Sequence, residues 1–422
     1  MNFRISSRLR HAVALIAPLL VATSVSFVYA QEPGGIIKIA SQSQLSGGQS
    51  PIGTGIRNGA ELAVEQLGDN LRDLGYDVQF VPFDDQASAE VGVANAQQIV
   101  ADPAILAVIG HFNSGVAIPS SEVYNQNNLA MVSPGATNPT LTDRGLPVVN
   151  RVVGRDDLQG PTGAQFAATI EGVQTVFILH DTTAYGQGVG TYFRDEAEAQ
   201  GLTVLGFEGI EERTNFDSIL QPVLALSPDL IYMAGIYDQF GIFVNQARAA
   251  GYAGQFMGPD GIDSSDFAEL GAEAAVGTYY TSVVAPAAQY PNAAQFIEDY
   301  AATYGEAPGP FAAQAYDAMG IILATFDRLA AANGGTLPTR EDVVAELRLT
   351  ENYAGITGNI SFDANGDPEV STYYVLQVGS ADPALWGDNT IISTLEIPSP
   401  LYAAELAESG AEMMTPEATA ES

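Results

Sequence analysis

Short apolar runs alternate with stretches whose apolar positions recur at helical spacing, and this happens twice along the chain. Residues 36–40, 78–83, 105–109 and 129–132 read as buried strands. Between them 56–67, 89–100 and 116–126 read as helices, with Ile56, Ala60, Ala63 and Leu67 on one buried face. A second series begins near Gly160, with strands at 175–179, 203–207, 230–233 and 255–257. Such alternation predicts an α/β fold of two parallel-sheet, Rossmann-like lobes. After Tyr279 the pattern changes to helices at about 294–304, 311–332 and 340–347, a strand at 360–362, a turn at 363–367 and a strand at 372–377. Chain crossings are expected near 153–157, 283–286 and 362–368, a three-segment hinge on which two lobes could close. The implied division is 31–154 with 285–365 as lobe 1, 155–284 with 366–396 as lobe 2, and 397–422 as a loosely ordered tail with few apolar residues.

Residues 1–30 stand apart from this pattern. Arg4, Arg8 and Arg10 precede an apolar stretch over about 12–27, and Val28-Tyr29-Ala30 supplies a cleavage site, so a cleaved secretory signal and a periplasmic or secreted protein are expected. The chain has no cysteine, which excludes both a lipid anchor on cysteine and any disulfide. It carries 15 Lys and Arg, three of them in the leader, against 50 Asp and Glu, and Lys38 is the only lysine. That balance excludes nucleic acid and anionic lipid as partners. It favours solubility and a monomer.

Candidate chemistry points away from catalysis. Of three histidines, His11 belongs to the leader, and there is no Gly-x-Ser-x-Gly elbow. No His/Cys/acid cluster has zinc spacing, and the glycine runs do not match the dinucleotide fingerprint, so no enzyme activity, metal or cofactor is expected. The run Ser133-Pro-Gly-Ala-Thr-Asn-Pro139 directly follows a predicted strand. In open α/β sheets ligands sit outside the carboxyl ends of strands. This loop offers the Gly135 carbonyl, the Thr137 hydroxyl and N–H, and little side-chain bulk, which suits a zwitterion.

Further landmarks occur in order. They are Leu45-Ser-Gly-Gly48 with Gly53, Asp84-Asp85, Val108-Ile-Gly-His111 with Ser114, Gln159-Gly-Pro-Thr162, His180-Asp181 with Tyr185-Gly186, Gln255-Phe-Met-Gly-Pro-Asp-Gly261 and Ala315-Tyr-Asp317. With them the chain resembles, over about residues 35–380, the type I periplasmic solute-binding proteins of the branched-chain amino acid (Leu/Ile/Val-binding) group. The resemblance implies an amino acid clamped between the lobes and delivered to an ABC permease. Its α-carboxylate would lie against Ser114 and the Thr137 N–H. Its ammonium would meet the Gly135 carbonyl, with Ala136 beside it, the Thr137 hydroxyl and Asp260. Tyr185 would cover the ligand, and Ile52, Ile236 and Phe311 would line its side-chain pocket. Two departures bear on the ligand: Asp260 stands where the family has Glu, and Ile236, followed by Tyr237, where it has an aromatic residue. The positions of the family's disulfide hold Ala87 and Asn113. An amide, urea or aromatic acid remains an alternative ligand, and a sensory module for a membrane receptor an alternative role.

Overall fold

The computed structural model describes residues 34–409; the leader expected over 1–30 lies outside them. Five strands form the first sheet: β1 (Gly35–Ser43), β2 (Tyr76–Asp84), β3 (Ile105–Gly110), β4 (Ala130–Ser133) and β5 (Val149–Arg151). Their order is β2-β1-β3-β4-β5, all parallel. Every residue of β3 is buried, as its unbroken aliphatic run requires of a strand covered by helices on both faces. The second sheet contains β6 (Thr175–His180), β7 (Thr203–Gly209), β8 (Leu230–Ala234), β9 (Gln255–Gly258) and β10 (Tyr279–Ser282). A two-residue hairpin, β11 (Tyr353–Ala354) and β12 (Asn359–Ile360), precedes β13 (Val370–Gln377) and β14 (Thr390–Pro398). The order is β14-β13-β10-β9-β8-β6-β7.

The two parallel-sheet lobes expected from the sequence are present, and the second sheet adds an antiparallel edge. Strand β13 runs antiparallel to both β10 and β14. Strand β14 escapes the pattern analysis because it is an edge strand whose side chains are half-buried, so apolar alternation is weak there. The tail expectation also fails over its first part, since Pro400–Ser409 is a helix. Ser399 Oγ accepts from the Tyr402 N–H at 3.1 Å, and proline follows it at the first helical position. Ser-Pro is here a start signal rather than a break. None of that helix is buried, which is why composition suggested a loose tail.

The chain passes between the sheets three times, after β5, after β10 and before β13. The long helix Ala312–Ala332 packs against Ser50–Leu67 in the first lobe, and Asp156–Ala167 packs against Ala184–Ala199 in the second. A buried ionic cluster ties the first crossing to the third. Arg151, fully buried, donates from Nε to Asp367 Oδ1 at 2.5 Å, and Arg155 Nη1 donates to Asp367 Oδ2 at 2.7 Å. Arg151 Nη1 also donates to the carbonyls of Ala136 and Asn138 at 3.0 and 3.2 Å, which fixes the loop after β4. Burial alone would raise the Asp367 pKa, but Arg151 and Arg155 hold it below the ordinary carboxylate range.

Removing one member of a buried cluster strands the others. Asp367→Ala should therefore cost about 3–5 kcal/mol in urea unfolding. Because the Asp367 pKa is depressed on folding, its stabilising share is complete above the unfolded value and fades only as pH falls through the folded one. The wild-type and variant stabilities should converge in acid, and a constant gap down to pH about 2 would refute the ionic origin.

Candidate functional site

In each sheet the connections reverse direction at one point, between β1 and β3 in the first lobe and between β6 and β8 in the second. A cavity of about 650 Å³ lies against both points. Lobe 1 contributes Gly48 and Gln49 after β1, Phe112 to Gly115 after β3 and Gly135 after β4. Lobe 2 contributes Thr183 to Tyr185 after β6, Arg213 after β7, Ile236 and Asp238 after β8, and Asp260 after β9. Hydrogen bonds join the lobes across the cleft. Asn138 Nδ2 donates to the Ala184 carbonyl at 2.7 Å, and Tyr237 Oη donates to the Gly48 carbonyl at 3.0 Å.

The lobe 1 wall is built to meet a negative group. Ser114 opens the helix Ser114–Gln126, and the side chain of Asn113 before it makes no cap bond. The first-turn N–H groups of Ser114 and Gly115 have no intrahelical acceptor and lie at the positive end of the helix dipole. Ser114 Oγ accepts from the Asn138 N–H at 3.3 Å. The next loop is shaped by Ser133, whose Oγ donates to the His111 carbonyl at 2.8 Å and accepts from the Ala136 N–H at 2.9 Å. Gly135 must be glycine here, because a Cβ would come 2.7 Å from the Phe112 ring.

The lobe 2 side is built to meet a positive one. Asp260 begins a short 3₁₀ turn, Asp260–Ile262, and is 1% exposed. Tyr185 Oη donates to its Oδ1 at 2.6 Å and accepts from the Gly261 N–H at 2.8 Å. Burial pushes the Asp260 carboxyl up to about 6 despite the tyrosine bond. Nearby stands a second acid that sequence reasoning missed. Asp156, at the start of the helix Asp156–Ala167, is fully buried, and neither carboxyl oxygen has a hydrogen-bond partner. Burial and then the charge of Asp260 raise its pKa well above the ordinary value. The Thr137 hydroxyl and both polar atoms of the Gln159 side chain are also buried without partners. Orphaned polar groups in such number are rare in native interiors. Gln159 Nε2 and the Thr137 hydroxyl are donors, and they lie beside Asp260 and Asp156 respectively. The only sequence signal for Asp156 was an acid in the first turn of a helix, where acids are ordinary.

The residues expected at the site do not all reach it. Ser114, Gly135, Tyr185, Ile236 and Asp260 line the cavity. Ala136 and Thr137 are fully buried and lie off its wall, though Thr137 keeps its free hydroxyl and its carbonyl accepts from the Asp156 N–H at 3.0 Å. Ile52 and Phe311 are core residues, 3% and 1% exposed, and do not line the cavity. Phe311 instead packs edge-on against Phe112, which does, with ring centroids 5.0 Å apart. The apolar lining comes from Phe112, Val116, Ile236 and Ile242. His111 binds Asp85 through Nδ1 at 2.9 Å, and its Nε2 lies 3.4 Å from Tyr124 Oη, all fully buried. Among the described residues no group of His, Cys, Asp and Glu could hold a metal ion, and no helix is long and apolar enough to cross a membrane.

Two α/β lobes, three crossings and a cavity against both switch points define a solute-binding protein. The chain belongs to the periplasmic binding protein family, whose sequence model matches residues 36–383. It is 29% identical over 356 residues to a leucine-, isoleucine-, valine-, threonine- and alanine-binding protein of Pseudomonas aeruginosa, covering 84% of this chain and 92% of that one. It is 30% identical over 342 residues to a leucine-specific-binding protein of Salmonella typhimurium, covering 81% and 90%. The crystal structure of a leucine-binding protein, LivK, from Thermotoga maritima superposes with a TM-score of 0.75 at 28% identity, covering 86% of this chain and 99% of that one.

The buried carboxyls make an unusual pH dependence. Burial places Asp260 at about 6 and Asp263 at about 7, both above their unfolded values near 4. The folded chain then binds more protons than the unfolded one in this window, so stability rises as pH falls. Without ligand, the melting temperature should be roughly 5 °C higher at pH 5.5 than at pH 8. Calorimetry giving a flat profile would mean that these acids ionise in the folded state without penalty.

Proposed function

We propose that the protein captures a free L-α-amino acid in the interlobe cavity outside the cytoplasmic membrane and hands it, unaltered, to an ABC permease. The observation that carries this reading is the charge arrangement across the cleft. Free N–H groups at the start of Ser114–Gln126 stand on one wall, the buried acid Asp260 stands on the other, and Asp156 lies close enough to Asp260 for their charges to interact. A zwitterion is the small solute that answers both. In this reading Ser114 and Gly115 hold the carboxylate. The Gly135 carbonyl and Asp260 hold the ammonium, by charge-assisted hydrogen bonds that replace water, and Asp156 adds negative charge close to Asp260. Tyr185 orients Asp260. Phe112, Ile236 and Ile242 receive the aliphatic part of the side chain. Relatives named for binding leucine, isoleucine and valine support aliphatic ligands. The acidic surface and the secretory leader expected at the N-terminus fit a soluble extracytoplasmic monomer.

The direct test is a thermal-shift screen against amino acids, amides, ureas and aromatic acids. One or more aliphatic L-amino acids at about 100 times the dissociation constant should add roughly 2.7 kcal/mol of stability. Stabilisation by an amide or urea alone would overturn the amino-acid reading.

Closure supplies a second test. A ligand shifts an open–closed equilibrium only by its differential affinity for the two forms. Ser114 and Gly135 belong to lobe 1 and can hold an amino acid in either form, whereas Asp260 reaches it only in the closed one. Asp260→Asn should therefore bind weakly and lose most of the ligand-induced compaction seen by small-angle scattering. If the Asn variant compacts fully at saturating ligand, another lobe 2 group drives closure.

A further inference from the structure

The cavity extends well beyond the groups just described. Along the lobe 2 sheet the strand order is β9-β8-β6-β7, so the loop carrying Arg213 lies three strand intervals from the loop carrying Asp260. At about 4.8 Å per interval, the two loops stand roughly 14 Å apart at their origins. The far end is not apolar. Arg213 stands 3.7 Å from Asp238 Oδ2, a loose ion pair, and its side chain is 48% exposed. Asp238 Oδ1 is buried without a hydrogen-bond partner. Across the cleft Asn113 Nδ2 donates to Gln49 Oε1 at 2.9 Å, while Asn113 Oδ1 is likewise buried and unpartnered. All four residues line the same cavity.

We propose that Arg213, Asp238, Asn113 and Gln49 form a second, polar subsite that receives a terminal carboxamide on the side chain of the bound amino acid. The proposal rests on the amino-acid reading above and names a ligand class for it. The argument is a donor and acceptor count. The subsite offers guanidinium donors from Arg213, and as acceptors Asp238 Oδ1, with the Gln49 amide beside its carboxylate, and Asn113 Oδ1. An alkyl group satisfies neither kind. A carboxylate accepts from Arg213 but has no hydrogen to give and meets the charge of Asp238. An ammonium donates but meets the charge of Arg213. A carboxamide accepts through its oxygen and donates two hydrogens through its nitrogen, and it is neutral beside a pair that is already balanced. Phe112, Ile236 and Ile242 line the same cavity and suit the intervening methylenes.

Calorimetric titration of the purified protein with L-leucine, L-glutamine and L-glutamate tests the subsite. Glutamine should bind at least as tightly as leucine and about tenfold more tightly than glutamate. In Arg213→Ala the ratio of glutamine to leucine affinity should fall about tenfold. Arg213 is half-exposed on a loop, so the variant should fold, and its ligand-free melting temperature checks this. Leucine binding with no preference for glutamine over glutamate, or with an unchanged ratio in the variant, would overturn the subsite and leave the amino-acid reading standing. If none of the three binds, that reading fails and the subsite fails with it.

Discussion

Asp260 and Asp156 are held out of water together, and the second of them has no donor on either oxygen. Burying a carboxyl without partners is costly, and burying two in reach of each other more so. The rest of the site answers to that constraint. Tyr185 bridges Asp260 to its own turn, and Asp263, three residues on, is pinned by Trp386 Nε1 at 2.8 Å and Ser282 Oγ at 2.9 Å. The acid is thus fixed from both sides of the 3₁₀ turn.

A clamp of two lobes also needs a hinge that bends without losing the loops it carries. Arg151 and Arg155 serve this by binding Asp367 on the third crossing, while Arg151 holds the carbonyls of the loop after β4. The same buried charges that join the crossings therefore hold the loop bearing Thr137 against the cleft. Solvent cannot replace these contacts without opening the cluster, so loop geometry and hinge integrity are one property. Tyr373 adds to it from the second sheet, its Oη accepting from the Arg155 N–H at 2.7 Å.

Much of this was legible in the residues, for reasons that differ by element. Buried parallel strands such as β3 announce themselves because both faces are covered and the run is wholly apolar. Gly135 was legible because its loop directly follows such a strand, whereas Ser114, Tyr185 and Asp260 came from the resemblance to a known family, and all four line the cavity. The edge strand β14 and the helix Pro400–Ser409 were not, because half-buried or exposed elements impose little pattern. Asp156 was hidden by its position, since an acid opening a helix satisfies the dipole and asks for no other explanation.

The sequence by itself determined two α/β lobes, the loops at their strand ends and the acidic, cysteine-free character of the chain, because each follows from local periodicity or composition. Only the tertiary structure decided which side chains share the cavity. Ile52 and Phe311 are apolar residues of the expected kind, yet packing took them into the core, and Phe112 stands at the wall instead. It also placed Arg213, Asp238 and Asn113, from three separate segments of the chain, on the wall of one cleft. The physical reason is that periodicity reports whether a residue is buried, whereas the strand order of two facing sheets decides what it is buried against.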